Sequence, residues 1–296
     1  MITRLRAALS AVLPQSSPPV EPLLAQLIDG HPRDRWEAAQ ALGRQVGNAG
    51  VLAALLGALE DPHPFVQWAA IDSLSQCRTE LCYQALERLF SSRNSQTRTA
   101  ACEALGKLGD KRAIPFLCRA LASRRLTVRQ SAAEALGHLP DPAALASLLK
   151  ALRDPDVQVR RLAALALGSL ADNDARSALL EALSDPQGLV RAAAVSALAR
   201  GGDRSVVELL LPLLRDGDVG VRWQAVRGLG MVAGEEARPA LSNVLDDSAV
   251  VFGKSLAGAA REALGEIERR LRAEQRPSWL RASSLPAPMP QKERSL

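Results

Sequence analysis

Aromatic residues are scarce in this chain, whose 296 residues include only four Trp, four Phe and one Tyr. Strands are enriched in aromatic and β-branched side chains, so this scarcity argues against a β-rich fold. The apolar residues are instead mostly Ala and Leu, which favour helices. The composition therefore predicts an all-α protein.

Long apolar runs are missing as well, and none reaches the roughly 18–20 residues needed to span a bilayer. The N-terminal stretch has Arg4 and Arg6 before a short apolar run, but it lacks the small-residue cleavage site of a signal peptide. We therefore expect a cytoplasmic protein without a membrane span.

The sequence also lacks the common catalytic and metal-binding motifs. It has no GxSxG, no P-loop and no GxGxxG, and none of its three His is followed by Glu. The four cysteines fit neither a CxxC pair nor a zinc ligand set. We expect no metal and no required cofactor, and we interpret the cysteines as small buried thiols in a reducing compartment. They are Cys77, Cys82, Cys102 and Cys118.

The net charge of +5 is concentrated at the two ends of the chain. Residues 20–250 hold 26 basic and 27 acidic residues, so the body is nearly neutral. Proteins that bind nucleic acid through its phosphates need a basic footprint. The charge distribution therefore argues against a nucleic-acid partner.

The chain repeats with a period of about 31 residues. We number each unit from a position zero, which immediately precedes a recurring Arg. Successive zero positions are 32, 31, 31, 31, 31, 31 and 35 residues apart. Such spacing predicts stacked helical hairpins, since one hairpin cannot bury its apolar face alone. The zero positions are Asp34, Val66, Thr97, Val128, Val159, Val190, Val221 and Leu256.

Each unit carries two helical patterns. The first has apolar residues at positions −11, −10 and −7, and the second has small or apolar residues at +4, +5, +7 and +8. These spacings place each set on one helix face. Asp-Pro pairs mark the turn between the helices. A Gly at +9 is interpreted as closing the second helix in the left-handed conformation. These glycines are Gly43, Gly106, Gly137, Gly168, Gly230 and Gly265.

Arg recurs at position +1 and Asp at position −5. Two interpretations stay open: a ladder of ion pairs and hydrogen bonds within or between units, or a row of phosphate-binding arginines. The Arg positions are 35, 98, 129, 160, 191 and 222, with Gln67 as an exception, and the Asp positions are 29, 61, 154, 185 and 216.

Three segments depart from the repeat. Glu87 replaces a Leu at −10, which we interpret as a register slip rather than local remodelling. Pro212 is expected to kink or shorten its helix. The 35-residue interval marks an insertion before the last helix. We expect an N-terminal extension at 1–19, a solenoid at 20–273 and a disordered Pro-rich tail at 274–296.

The pattern LL-x2-L-x-D-x4-V-R-x2-A-A-x-A-L-G resembles HEAT repeats, in particular the short phycobilisome-lyase HEAT-like type. The resemblance covers about 20–270. It implies a right-handed α-solenoid of about eight 31-residue hairpins, in which second helices line the concave surface. Relatives of this type include bilin lyase subunits, antenna-degradation adaptors and scaffolds. The aromatic-rich first-repeat motif of one bilin lyase subunit is absent, because DRWEAAQALG has one aromatic residue.

Scarce tryptophans recur at one position of the second helix. At roughly 100° per residue, positions +2 and +6 lie nearly opposite the packed face. If second helices line the concave surface, these positions form a groove, and exposed aromatic residues there are typical of binding hot spots. The alternative is that the tryptophans pack over neighbouring repeats. The candidate partner-binding residues are Trp36, Trp68, Asp72, Glu103, Glu134, Arg161, Trp223 and Arg227.

Three functional hypotheses follow. The first is a non-catalytic scaffold that binds one protein along the groove; by resemblance, the partner is a phycobiliprotein or a second lyase subunit, in maturation or turnover. The second is a bilin lyase subunit, in which Asp72, Glu103 or Glu134 stabilises a protonated bilin while a partner thiol adds to it. The third is a HEAT-like DNA-binding or alkylpurine glycosylase-type protein, with Trp68 and Asp72 in its site.

Overall fold

The computed structural model describes residues 20–76, 79–251 and 253–275, except for the side chain of Leu81. The predicted N-terminal extension, Cys77 and the tail from 276 onward lie outside these residues. The chain divides into two compact units, Met1–Ala197 and Leu198–Leu296.

The first unit is a series of helical hairpins. Second helices of successive hairpins pack side by side, and so do several first helices. The helices are α1 (Val20–Asp29), α2 (Pro32–Leu42), α3 (Ala49–Ala58), α4 (Pro64–Ser75), α5 (Glu80–Leu89), α6 (Ser95–Leu108), α7 (Ile114–Ala120), α8 (Leu126–Gly137), α9 (Leu145–Ala151), α10 (Val157–Leu167), α11 (Asn173–Ala182) and α12 (Gly188–Arg200), whose last residues fall past the unit boundary.

The second unit contains two further hairpins and a small sheet. Its helices are α13 (Val207–Leu210), α14 (Val219–Val232), α15 (Arg238–Asn243) and α16 (Leu256–Glu274), and α14 packs on α16. Strands β1 (Val250–Val251) and β2 (Lys254–Ser255) pair antiparallel, with Val250 opposite Ser255.

The predicted hairpin repeat is confirmed. The small residues at +4 and +5 are buried, as Ala38, Ala39, Ala163 and Ala164 show, and Leu167 at +8 is fully buried. Burial of these faces is the main favourable term in stacking the hairpins. Within the described residues, no helix is both long and apolar enough to cross a bilayer.

The glycines at +9 have a different role from the predicted one. Gly43 and Gly168 have right-handed helical backbone angles, and the left-handed glycines are Gly109, Gly202 and Gly253. A Cβ at Gly106 would lie 2.7 Å from the Ala135 Cβ of the next second helix. The left-handed interpretation is therefore wrong, and glycine at this position lets neighbouring second helices approach closely.

The predicted register slip near Glu87 is wrong too. Leu86 at −11 is fully buried, as Leu55 and Leu148 are at the same position in their units. Position −10 is only half-buried elsewhere, for example at Leu149, so a Glu fits there without any shift. The register of the third unit is therefore the same as that of its neighbours.

The other two departures behave as expected. Pro212 shortens its helix, since α13 has four residues and continues as a 3₁₀ helix over Leu211–Arg215. The insertion of the last interval contains β1 and β2, which the all-α prediction did not include. It lies after Asp247, because Asp247 still pairs with Arg222 in the regular spacing of the ladder.

The predicted ladder of ion pairs between units is present at four positions, where it joins one hairpin to the next. The Arg at +1 donates Nη1 to a backbone carbonyl in the turn of its own unit. Arg160 binds the Asp154 carbonyl at −5 at 2.9 Å, and Arg35 binds the Gly30 carbonyl at −4. Its Nε and Nη2 donate to the carboxylate at −5 of the following unit, as Arg160 does to Asp185 at 2.9 and 3.1 Å. The ion pairs join Arg35 to Asp61, Arg129 to Asp154, Arg160 to Asp185 and, within the second unit, Arg222 to Asp247.

Two of the ladder carboxylates, Asp61 and Asp185, have pKa values below the ordinary value. Partial burial alone would raise the pKa of Asp185, but hydrogen bonds from Arg160 and from the Gln187 N–H, together with the nearby arginine charges, lower it below its ordinary value. The same balance lowers the pKa of Asp61. Each carboxylate thus closes its own turn and also holds the preceding hairpin.

We predict that Gly106→Ala destabilises the protein by about 1–3 kcal/mol, because the added methyl group collides with Ala135. Urea denaturation measures the loss. Gly137→Ala is the matched control, since its Cβ would lie 3.9 Å from Ala166 in ordinary contact. Equal stability for the two variants would contradict the close-approach role of the glycine.

Asp185→Asn should lower the free energy of unfolding by about 1–2 kcal/mol at pH 7, because charge-assisted hydrogen bonds to Arg160 are lost. A carboxylate with a lowered pKa stabilises the fold above its ordinary pKa and loses that effect as pH falls through the folded value. The difference in free energy of unfolding between wild type and variant should therefore decrease below about pH 4. Urea titrations at pH 7 and pH 3 test this, and a gap independent of pH would count against the ion pair.

Candidate functional site

The predicted partner-binding residues lie on the second helices at positions +2 and +6, here called the +2/+6 face. In the first unit Trp68 is 51% exposed, whereas Trp36 is half-buried. In the second unit Trp223 is half-buried and Arg227, one turn later on α14, is exposed. Trp68 therefore presents the most accessible indole of the three.

Trp68 lies in a cluster with two charged residues. Lys107 Nζ, from the next second helix, is 5.7 Å from the centroid of a Trp68 ring and 3.9 Å from Asp72 Oδ1. Gln76 Nε2 donates to the other Asp72 oxygen at 3.4 Å. Lys107 was not among the predicted residues. It stands one turn after Glu103 on the same helix face, which is the signal that could have identified it.

The acidic residues of the +2/+6 face are not equivalent. Burial raises the pKa of Glu103 above its ordinary value, although the Ser131 hydroxyl donates to its carboxylate at 3.3 Å. Glu134 is exposed on α8. Farther along, Arg161 donates Nε to Gln158 Oε1 at 2.8 Å within its own helix. The face thus carries both signs of charge around one exposed indole.

A small apolar hollow adjoins Trp36. Its volume is about 250 Å³, and Pro32, His63 and Phe65 also line it. The Phe65 side chain is 75% exposed. Phe65 stands at position −1. The recurrence of tryptophan at position +2 therefore did not point to it. Its ring and the Trp68 ring are three residues apart on α4 and share one flank of that helix.

A wider cavity lies elsewhere, between the first helices α9 and α11. Its volume is about 750 Å³, and its lining includes Leu149, Leu152 and the Arg153–Glu181 ion pair. Both residues of that pair are largely exposed. This cavity is a wide depression on the first-helix side of the hairpins, and none of the predicted site residues lines it.

The described cysteines are free thiols with restricted access. Cys82 and Cys102 are fully buried and Cys118 is half-buried. Burial raises the pKa of the Cys102 thiol to about 12, so at neutral pH it is protonated and a poor nucleophile. In the part of the chain that the structure describes, no group of His, Cys, Asp and Glu is arranged to hold a metal ion.

Comparison with known families gives a match along most of the chain. A family described as HEAT repeats matches residues 20–95, 82–136, 120–199 and 176–265. These matches overlap and together cover 20–265, the span in which the sequence repeats. No curated protein sequence matches the chain.

Several solved structures are similar. The YibA protein of Escherichia coli has a TM-score of 0.58 at 19% identity, covering 84% of this chain and 92% of that one. Importin beta has a TM-score of 0.53 at 17% identity, covering 84% and 40%. The complex of CpcE and CpcF of phycocyanin lyase from Nostoc sp. PCC7120 has 25% identity and a TM-score of 0.43, covering 87% and 98%. YibA and importin beta share the fold.

We predict that iodoacetamide at pH 8 leaves Cys102 unmodified in the native protein, because its buried thiol stays protonated. Peptide mass spectrometry measures the modified fraction. Cys118, which is half-buried, should react faster, and urea should make both thiols reactive. Native modification of Cys102 at the rate seen in urea would show that its site is open to solvent.

Proposed function

The chain belongs to the HEAT-repeat family, and on that basis we propose that it is a non-catalytic scaffold that binds a protein partner along the +2/+6 face. The observation that carries the proposal is the half-exposed Trp68 ring, which rigid helices hold beside Lys107 and Asp72. Large exposed aromatic side chains ringed by polar groups are typical of binding hot spots.

The surroundings of Trp68 indicate what kind of partner surface would fit. Phe65 and Trp68 give one flank of α4 two large apolar rings, and the hollow beside Trp36 and Phe65 can accept an apolar side chain. Lys107 and Asp72 supply charges of opposite sign close to the Trp68 ring. A complementary partner therefore inserts an apolar side chain and pairs the charges around it.

The partner class to test first is a phycobiliprotein, because the repeat sequence resembles the phycobilisome-lyase type. A role in maturation or turnover of such a protein requires binding but no catalytic group on this chain. In either role, the scaffold presents the +2/+6 face to the phycobiliprotein.

The alternative, a bilin lyase subunit, gains less support from the geometry. A counter-ion for a protonated bilin must be an ionised and accessible carboxylate. Asp72 lies 3.9 Å from the Lys107 ammonium, and burial raises the pKa of Glu103. Of the three candidate carboxylates, only the exposed Glu134 on α8 is free of both obstacles. The DNA-binding alternative meets the same obstacle, because its Trp68–Asp72 pair is already engaged by Lys107.

Trp68→Ala should weaken binding to the protein partner by about 30-fold or more, the usual loss at an aromatic hot spot. The assay is titration of purified phycobiliprotein subunits by calorimetry, with absorbance of the mixture recorded in parallel. Leu189→Ala is the matched control, because Leu189 is 53% exposed but stands outside the +2/+6 face.

Two outcomes would overturn parts of this proposal. If a folded Trp68→Ala variant binds the partner with unchanged affinity, the +2/+6 face is not the binding surface. Transfer of a bilin from this chain to an apo-phycobiliprotein, with a corresponding absorbance change, would replace the scaffold by the lyase alternative. A stoichiometric complex of wild type with an apo-phycobiliprotein that shows no bilin absorbance, and that Trp68→Ala but not Leu189→Ala weakens, would support the scaffold.

A further inference from the structure

The arginine ladder is interrupted in the third and fourth hairpins. Where Asp occupies position −5, its carboxylate closes its own turn and pairs with the preceding Arg. Serine stands there at Ser92 and Ser123. Both hydroxyls still close the turn, since Ser92 Oγ accepts from Asn94 N at 3.1 Å and Ser123 Oγ accepts from Arg125 N at 3.2 Å. We call each ladder Arg together with its partner at −5 of the next unit a rung. At Ser92 and Ser123 the rung has lost its negative charge.

The two interruptions differ in what they leave behind. Opposite Ser92 stands Gln67, which donates to the Asp61 carbonyl at 2.5 Å, so this rung has lost both its charges. Opposite Ser123 stands Arg98, which keeps its guanidinium. The second interruption therefore leaves an arginine in a ladder position without the carboxylate that its counterparts have.

The Nε and Nη2 atoms form the edge of the Arg98 guanidinium that could bind an oxyanion. Its Nη1 donates to the Ser92 carbonyl at 2.6 Å, which is the anchoring bond of the other rungs. In Arg129 and Arg160 the Nε and Nη2 atoms bind a carboxylate with two hydrogen bonds. Among the described residues, no carboxylate lies within ion-pair distance of Arg98. This half-buried edge matches the bidentate geometry of a carboxylate or phosphate.

A cavity of about 470 Å³ opens at this interruption. Arg98, Arg119, Arg124 and Arg125 line it, and among the described lining residues none is acidic. Its apolar wall includes Phe90 and Phe116, whose stacked rings have centroids 5.8 Å apart. Helix α8 begins beside it, and the N-cap residue Arg125 supplies no side-chain acceptor for the first N–H groups. Positive potential and apolar surface therefore meet in one cavity.

We propose that this cavity binds a phosphate monoester whose carrier is an aromatic or similarly apolar group. The phosphoryl oxygens complete the interrupted rung on the Nε and Nη2 edge of Arg98. Four guanidinium groups favour a dianion over the single charge of a carboxylate. The carrier packs on the Phe90–Phe116 pair. The site lies at the ladder turns and is separate from the +2/+6 face.

Calorimetric titration at constant ionic strength with phenyl phosphate, inorganic phosphate and benzoate tests the proposal. Phenyl phosphate should bind most tightly, because it alone supplies both the dianion and the ring. Ser123→Asp should restore the missing rung, raise the thermal midpoint and weaken phenyl phosphate binding at least about tenfold. Arg98→Gln, which reproduces the neutral Gln67 rung, should weaken binding to a similar extent.

Controls with the same charge changes separate the site from general electrostatics. Ser177→Asp and Arg261→Gln, at exposed positions away from the cavity, should leave the affinity within about twofold. Benzoate binding as tight as phenyl phosphate would overturn the assignment to a phosphate ester. Undiminished binding by Ser123→Asp or Arg98→Gln would overturn the site itself.

A phosphotyrosine pentapeptide in the same assay identifies the source of the ester. Binding tighter than that of phenyl phosphate assigns a phosphorylated protein, and equal binding assigns a small ester; both results support the site. Failure of phenyl phosphate to bind would contradict the proposal whatever the +2/+6 face does, so the two functional proposals can fail independently.

Discussion

The arginine that links the turn of its own hairpin to a carboxylate in the next is the interaction that holds the stacked hairpins in register. A single hairpin has too little apolar surface to fold alone, so its neighbours must be held at one spacing and in one register. The rung provides this, since one planar side chain binds a carbonyl at 2.9 Å and a carboxylate 25 residues further along the chain. Both side chains of the Arg160–Asp185 rung are largely buried, and the hydrogen bonds and charge between them outweigh the effect of burial and lower the pKa of Asp185.

A second constraint acts where the second helices come closest. At four of the +9 glycines the next helix comes so close that a Cβ would collide with a Ser or Ala; these are Gly43, Gly106, Gly168 and Gly230. The ladder and the glycine contacts both join neighbouring hairpins, and residues outside them take no part in that spacing. The exposed Trp68 lies outside both sets of contacts, whereas the basic cavity at Arg98 is an interruption of the ladder itself. Both functional proposals rest on a departure from the repeat.

The features that repeat along the chain could be predicted from the sequence. Those that depend on the distance between neighbouring helices could not. The period, the paired helices and the Arg–Asp ladder follow from residues that recur at fixed spacing. The role of Gly106 could not be predicted, because a left-handed turn and a close helix contact both select glycine, and only the Ala135 position decides between them. Glu87 was misjudged because a half-buried position tolerates a charge that a core position does not.

The candidate site was predicted in outline only. The recurrence of residues at +2 and +6 predicted that Trp68 and Asp72 lie on one helix face. Lys107 comes from the next hairpin, and Phe65 lies outside these two positions. Contacts between repeats depend on the stagger of neighbouring helices, which a single repeat does not encode. The interruption at Ser123 was visible as a substitution, yet its meaning depends on the arginine that it leaves unpaired.

The central claim, that Arg98 occupies a rung whose anion comes from outside, can be tested most directly by NMR hydrogen exchange at the arginine Nε–H groups. Without added anion, the Nε–H groups of Arg129 and Arg160 should exchange slowly, because carboxylates bind them, and that of Arg98 should exchange fast. Added phenyl phosphate should slow hydrogen exchange at the Arg98 Nε–H and leave exchange at the other two unchanged. If Arg98 is as protected as Arg160 before any anion is added, the rung is already filled from within the protein and the account is wrong.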